Sequence, residues 1–273
     1  MNTELRIACF FTGGYTELDA MKDFMCKIND NIQYIQLCPI RERKNKDQIR
    51  NRHSEAIRAD QNGLTGEALI NYIINFIQSK RFREEYYDAI LIEDDKDDRF
   101  LSINTDGYGE INQEEWTAYK NNVTHKIHQF YPEIPVIFFY AAPEVEAWFL
   151  ADFDKSFGTF YKSMLNYKEN RFFQINFRKY VVNNILTEHY KPCIEDYGYF
   201  NNVYHKLSSQ IQESLEKIDF LKNFRKRVHY KEIRYSKRYH APEMLRNINP
   251  EKVSTRCNQY FSEGFRALKD FGN

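Results

Sequence analysis

Five carboxylates crowd into the six residues Glu93-Asp94-Asp95-Lys96-Asp97-Asp98, directly behind the apolar run Ile90-Leu91-Ile92. That much like charge needs cations or protons wherever it is buried. Carboxylate oxygens at a strand end are also the ligands that Mg²⁺ or Mn²⁺ takes. On an exposed turn the same run is simply a solvated acidic loop. A second acidic element, Pro143-Glu144-Val145-Glu146-Ala147-Trp148, follows another apolar run, Pro135–Tyr140, and weighs toward the metal reading. A metal held there would activate water and neutralise developing negative charge.

A second pattern lies near the other end. From Phe224 to His240 cations alternate with aromatics, and Arg225, Lys226, Arg227, Lys231, Arg234, Lys237 and Arg238 read as contacts to the phosphates of DNA or RNA. A solvated face or a surface meeting an acidic partner gives the same pattern. The formal net charge is zero, so the acidic excess of the first 150 residues is matched by a basic excess in the rest.

Other candidates are weaker. Asn104 to Glu115 resembles a Ca²⁺-binding EF-hand loop, with Asp106 third, Gly109 sixth, Ile111 eighth and Glu115 twelfth. Asn104 stands first where Asp is usual, Tyr108 is a poor fifth ligand, and a β-turn followed by a helix start at Gln113 explains the glycines equally well. His125 and His128 share a predicted helix face without a third ligand nearby. No phosphate-binding P-loop, nucleophile elbow or dinucleotide fingerprint is present. The 5 cysteines form no CxxC pair and imply a reduced, cytoplasmic protein; no long apolar run predicts a membrane span.

The elements that must position these groups alternate. Leu5–Phe11 predicts a strand, closed by Thr12-Gly13-Gly14 and followed by a helix from Thr16 with Glu17 near its start. Ile32–Ile40, Tyr87–Ile92 and Pro135–Tyr140 predict three further strands, with helices at about residues 65 to 79 and from Glu144 to Phe153. Residues 41 to 60 read as a loop or exposed segment. Such alternation implies an α/β protein with a largely parallel sheet, whose ligand site lies at the carboxyl ends of the strands. Residues 1–154 form this domain. Residues 155–273 read as a mostly helical basic extension packed on it, with a helix at about 201 to 222.

The glycine turn, the acidic cluster, the helix Glu144-Val145-Glu146-Ala147-Trp148-Phe149-Leu150-Ala151-Asp152 and the closing segment Tyr235–Pro242 resemble the Toprim-like proteins of unknown function encoded beside ATPases in bacterial defence loci. The resemblance implies a Toprim fold, shared with topoisomerases, primases and the nucleases of the overcoming-lysogenization-defect type. It implies Mg²⁺ held by a Glu after the first strand and by an Asp-x-Asp after the third. Asp95-Lys96-Asp97 is the natural match to the second motif, Glu93 and Asp94 are the register alternative, and Glu146 is a further ligand or a structural partner. At the first motif this chain has Thr12 instead of Glu, so Glu17 is the candidate substitute. The expectation is a nuclease acting on DNA or RNA, tRNA included, under an ABC-type ATPase partner; its rivals are a catalytically silent subunit of an ATPase complex and a Ca²⁺-responsive module.

Overall fold

In the computed structural model the described residues are 4–42, 57–160, 167–181, 194–200, 203–217 and 235–272. β1 (Leu5–Phe10), β2 (Ile32–Cys38), β3 (Ala89–Asp95) and β6 (Val136–Ala141) form one parallel sheet in the order β2-β1-β3-β6. The chain is therefore α/β, as the alternation implies.

Both sheet faces are covered, which is why the strands read as nearly continuous apolar runs. Side chains alternate along each strand. Ile7, Cys9, Leu91 and Phe139 enter one core; Ala8, Phe10, Ile90, Ile92 and Tyr140 enter the other. The second core is closed by α2 (Gly66–Ile77), through Leu69, Ile70 and Ile73, and by the short α3 (Lys80–Arg83). β4 (Leu101–Ile103) and β5 (Gly109–Ile111) form a hairpin leading into α4 (Gln113–His128), which adds Trp116, Val123 and Ile127.

The first core is closed by α1 (Glu17–Cys26), α5 (Glu146–Ala151) and the distal helices. After α6 (Phe157–Phe160) and α7 (Tyr167–Val181), a small pair of strands, β7 (Tyr199–Phe200) and β8 (Val203–Tyr204), precedes α8 (Leu207–Lys217). The chain ends in α9 (Ala241–Asn247), α10 (Pro250–Arg256) and α11 (Phe261–Lys269). Trp148 of α5 stacks on Phe24 of α1 at 5.4 Å and meets Phe261 of α11 edge-on at 4.9 Å. Gly264 lets α11 lie against β6, because a β-carbon there would collide with the Phe138 carbonyl. The buried Glu195 carboxylate accepts the backbone N–H groups of Gln259, Tyr260 and Phe261 and so caps the start of α11. The described part of residues 155–273 thus shares a core with the sheet.

Three boundaries depart from expectation. β3 continues through Glu93, Asp94 and Asp95, because their backbones pair with Phe139, Tyr140 and Ala141, so the acids open inside the sheet. The helix expected at about 201 to 222 begins only at Leu207, since Val203 and Tyr204 pair with Phe200 and Tyr199. The EF-hand-like stretch is a hairpin followed by a helix start: the Asn104 side-chain oxygen accepts the N–H groups of Asp106 and Tyr108, and Asn112 caps α4 through the Glu115 N–H.

Candidate functional site

The alternation of β3 sorts the acidic run. Glu93 and Asp95 follow Ala89 and Leu91 onto the face covered by α1 and α5, whereas Asp94 follows Ile90 and Ile92 onto the other. Asp94 is fully buried, pairs with Arg99 at 2.6 Å and accepts the Gly66 N–H at the start of α2. Burial raises its carboxyl above the usual range, against the opposing pull of Arg99. It clamps the loop after β3 to α2 and stands apart from the other acids.

Glu93 and Asp95 meet three more carboxylates. The glycine turn brings Glu17, at the start of α1, back to the sheet edge; its carboxylate lies against Gly14, where a β-carbon would collide with it. Glu144 and Glu146 arrive from the turn after β6 and the first residue of α5. All five are buried: Glu17, Glu93, Glu144 and Glu146 are at most 3 % exposed, and Asp95 is 9 % exposed. The backbone supplies donors. Thr12 N–H donates to Glu93 Oε2 at 3.1 Å, Val145 N–H to Asp95 Oδ1 at 3.1 Å, and Ser208 N–H to Glu144 Oε2 at 3.0 Å. Tyr235 O–H donates to Glu146 Oε1 at 2.6 Å.

The cation facing them is Lys237, 2.9 Å from Glu144 and 3.4 Å from Glu146. Burial opposes its charge, but Glu146, Asp95 and Glu144 hold the ammonium well above its usual range. Burial also works against Glu144, yet Lys237 and Ser208 keep that carboxyl below its ordinary value. The rest go the other way. Burial raises Glu93, with Glu17 and Asp95 adding to it; burial raises Asp95 against the pull of Lys237, with Glu17 and Glu146 adding; burial likewise raises Glu146. Glu17 is pushed up to about 7, again chiefly by burial. Glu93 Oε1, fully buried, has no hydrogen-bond partner.

Of the residues proposed from the sequence, Glu17, Glu93, Asp95 and Glu146 share this pocket. Asp97 lies past the strand end with φ of 51°, half-buried; burial raises its carboxyl and Lys206 opposes the shift. Lys237, read as a phosphate contact, is ion-paired with Glu144 and Glu146 while its side chain stays 42 % exposed. Arg238 stacks on the Tyr15 ring at 4.7 Å. Arg225, Lys226, Arg227, Lys231 and Arg234 lie outside the described residues. His128 donates to the Ile134 carbonyl, and His125 bonds Gln129 on the surface. Sequence reasoning gave no role to Ser208 or Arg99, and named Glu144 and Tyr235 only as parts of longer motifs. The period of two within β3 was the available signal for separating Asp94 from its neighbours.

The cluster suits a hard divalent cation in donor type and charge: its donors are carboxylate oxygens, of which Glu93 Oε1 and Glu146 Oε2 are buried without a hydrogen-bond partner, the second lying 3.4 Å from the Lys237 ammonium. In spacing it does not: among the described residues no group of three or more His, Cys, Asp or Glu side chains is placed so that it could hold a metal ion.

Fold and site together define an α/β protein with a buried acidic pocket at the carboxyl edge of a parallel sheet. Comparison with protein-family models, with curated proteins and with solved structures gives no match.

Proposed function

We propose that this chain is a Mg²⁺- or Mn²⁺-dependent Toprim-like nuclease, the effector of a prokaryotic antiphage defence system, acting on DNA or RNA under the control of a partner ATPase. The metal-dependent part is carried by the unpartnered Glu93 Oε1 in a cluster of five buried carboxylates, two of which pair with the Lys237 ammonium. Glu17, Glu93 and Asp95 are the carboxylates left to hold the ion, since Glu144 and Glu146 are already engaged by Lys237, Ser208 and Tyr235, and they would have to draw closer together than they stand here. Bound there, a divalent ion supplies charge neutralisation and a more acidic water for attack on phosphorus. The Thr12 and Val145 amides orient the Glu93 and Asp95 carboxylates, and burial keeps bulk water from screening them. The family and its ATPase rest on the motif resemblance at Thr12–Gly14, Asp95–Asp97, Glu144–Asp152 and Tyr235–Pro242.

A second reading, a subunit that binds nucleic acid without cutting it, is favoured by Thr12 at the first motif and by the open spacing of the carboxylates. The test incubates the purified chain with Mg²⁺ or Mn²⁺ and plasmid DNA or tRNA, alone and with the product of the neighbouring gene. Nuclease action requires metal-dependent nicking or cleavage that Asp95→Asn abolishes. Cleavage surviving in that variant rules out the site, and metal-insensitive binding without cleavage selects the silent subunit.

A further inference from the structure

Two segments that bring a charged side chain to the acidic cluster each carry an aromatic ring two residues away. Residues 15–17 set the half-buried Tyr15 beside the buried Glu17; residues 237–239 set the exposed Tyr239 beside the half-buried Lys237, which pairs with Glu144 and Glu146. The segments are tied together where Thr16 Oγ1 donates to the Lys237 carbonyl at 3.3 Å. Between the rings lies Arg238, its guanidinium 4.7 Å from the centre of Tyr15 and 5.6 Å from that of Tyr239. Tyr15 and Arg238 are half-buried, whereas Tyr239 is 62 % exposed.

A single exposed ring is common on protein surfaces, but Tyr239 is held in a cation–aromatic stack next to the acidic cluster, where a ligand with a flat face fits it. Stacking on Arg238 restrains Tyr239 before any ligand arrives, so little side-chain freedom remains to be lost on binding. A planar cation between rings, one step from a site for a charged ester, matches a base joined to its phosphate. In a duplex the base faces are already stacked on their neighbours and closed to a side chain. An unpaired base is open to it.

We infer that Tyr15, Arg238 and Tyr239 form a nucleotide platform beside the acidic cluster, on which an unpaired base stacks against Tyr239 while Arg238 meets the adjoining phosphate. The inference rests on the nuclease reading for the role of the pocket, and it names single-stranded DNA or RNA as the substrate class.

The experiment measures binding by fluorescence anisotropy with the full chain in chelator, so that no metal contributes. The probes are a labelled single-stranded oligonucleotide, as DNA and as RNA, and the blunt duplex of the same sequence. Wild type is expected to prefer the single strand. Tyr239→Ala should weaken that binding roughly tenfold, the worth of one base–aromatic stack, and leave the duplex unaffected; Tyr239→Phe should retain the preference. Equal affinity of wild type for both probes, no binding to either, or a Tyr239→Ala variant with an undiminished preference each overturns the platform. Metal-dependent cleavage by wild type, abolished in Asp95→Asn, separates the two readings. With that cleavage present and the platform refuted, the nuclease reading stands alone. A single-strand preference lost in Tyr239→Ala, in a protein that never cuts, leaves the platform standing without it.

Discussion

Glu17→Gln should flatten the dependence of stability on pH. Glu17 is 3 % exposed, and burial lifts its carboxyl from 4.5 to about 7, with Lys237 opposing and Glu146 adding to the shift. In the unfolded chain it titrates near 4.5. Between these values the folded state binds more protons than the unfolded state, so stability must fall as pH rises. The contribution is fully present below about pH 4.5 and is gone once pH passes about 7. At ~1.4 kcal/mol per pH unit, this interval corresponds to about 3 kcal/mol. Glu144, held below its ordinary range, acts in the opposite sense: its contribution is present at neutral pH and is lost on acidification. The assay is urea unfolding in chelator at stepped pH, with wild type and Glu17→Gln in parallel. Wild type should lose stability across the window; the variant should lose about 3 kcal/mol less, and more than that where relief of repulsion also lowers Glu93 and Asp95. Added Mg²⁺ should restore wild-type stability above about pH 7, because an ion that binds the ionised pocket stabilises the fold that contains it. Identical pH profiles for the two proteins would refute the burial argument, and a profile indifferent to Mg²⁺ would refute the metal assignment.

Arg99→Met should cost about 3 kcal/mol, the lower end for breaking a buried ion pair, because Arg99 is 25 % exposed while Asp94 is fully buried. Calorimetry should nevertheless find its Mg²⁺ response unchanged, since the pair lies on the opposite face of β3; lost metal binding would show that the two faces are not independent. Thr12→Glu should destabilise the metal-free protein, since it sets another carboxylate beside Glu93 at a position only 6 % exposed, and should tighten Mg²⁺ or Mn²⁺ binding. Unfolding in chelator and titration calorimetry read the two effects, and a variant equal to wild type in both would leave the first-strand turn with a purely structural role.

Alternation of apolar strands with amphipathic helices was enough to determine an α/β chain with a parallel sheet, because such strands must be buried on both faces and joined by crossovers. It also located the acidic groups at the carboxyl edge, since each follows a strand within a few residues. The helix at Leu207 and the hairpin before Gln113 were legible only in part: whether Val203 and Tyr204 open a helix or pair as a strand depends on Tyr199 and Phe200 lying opposite them.

Tertiary structure alone decided which acids belong together. Continuation of β3 to Asp95 depends on pairing with β6, and that pairing directs Glu93 and Asp95 to one face and Asp94 to the other. Glu17 joins them only because the glycine turn folds α1 back over the sheet, and its distance along the chain carries no sign of this. Lys237 shows the limit most clearly. As one cation in a basic run it reads as a phosphate contact; in the fold it is the counter-charge of Glu144 and Glu146, 93 and 91 residues earlier. Local sequence sets which charges a residue offers, but only long-range packing sets which charges it meets, because Coulomb attraction depends on distance in space and on the water removed between the partners.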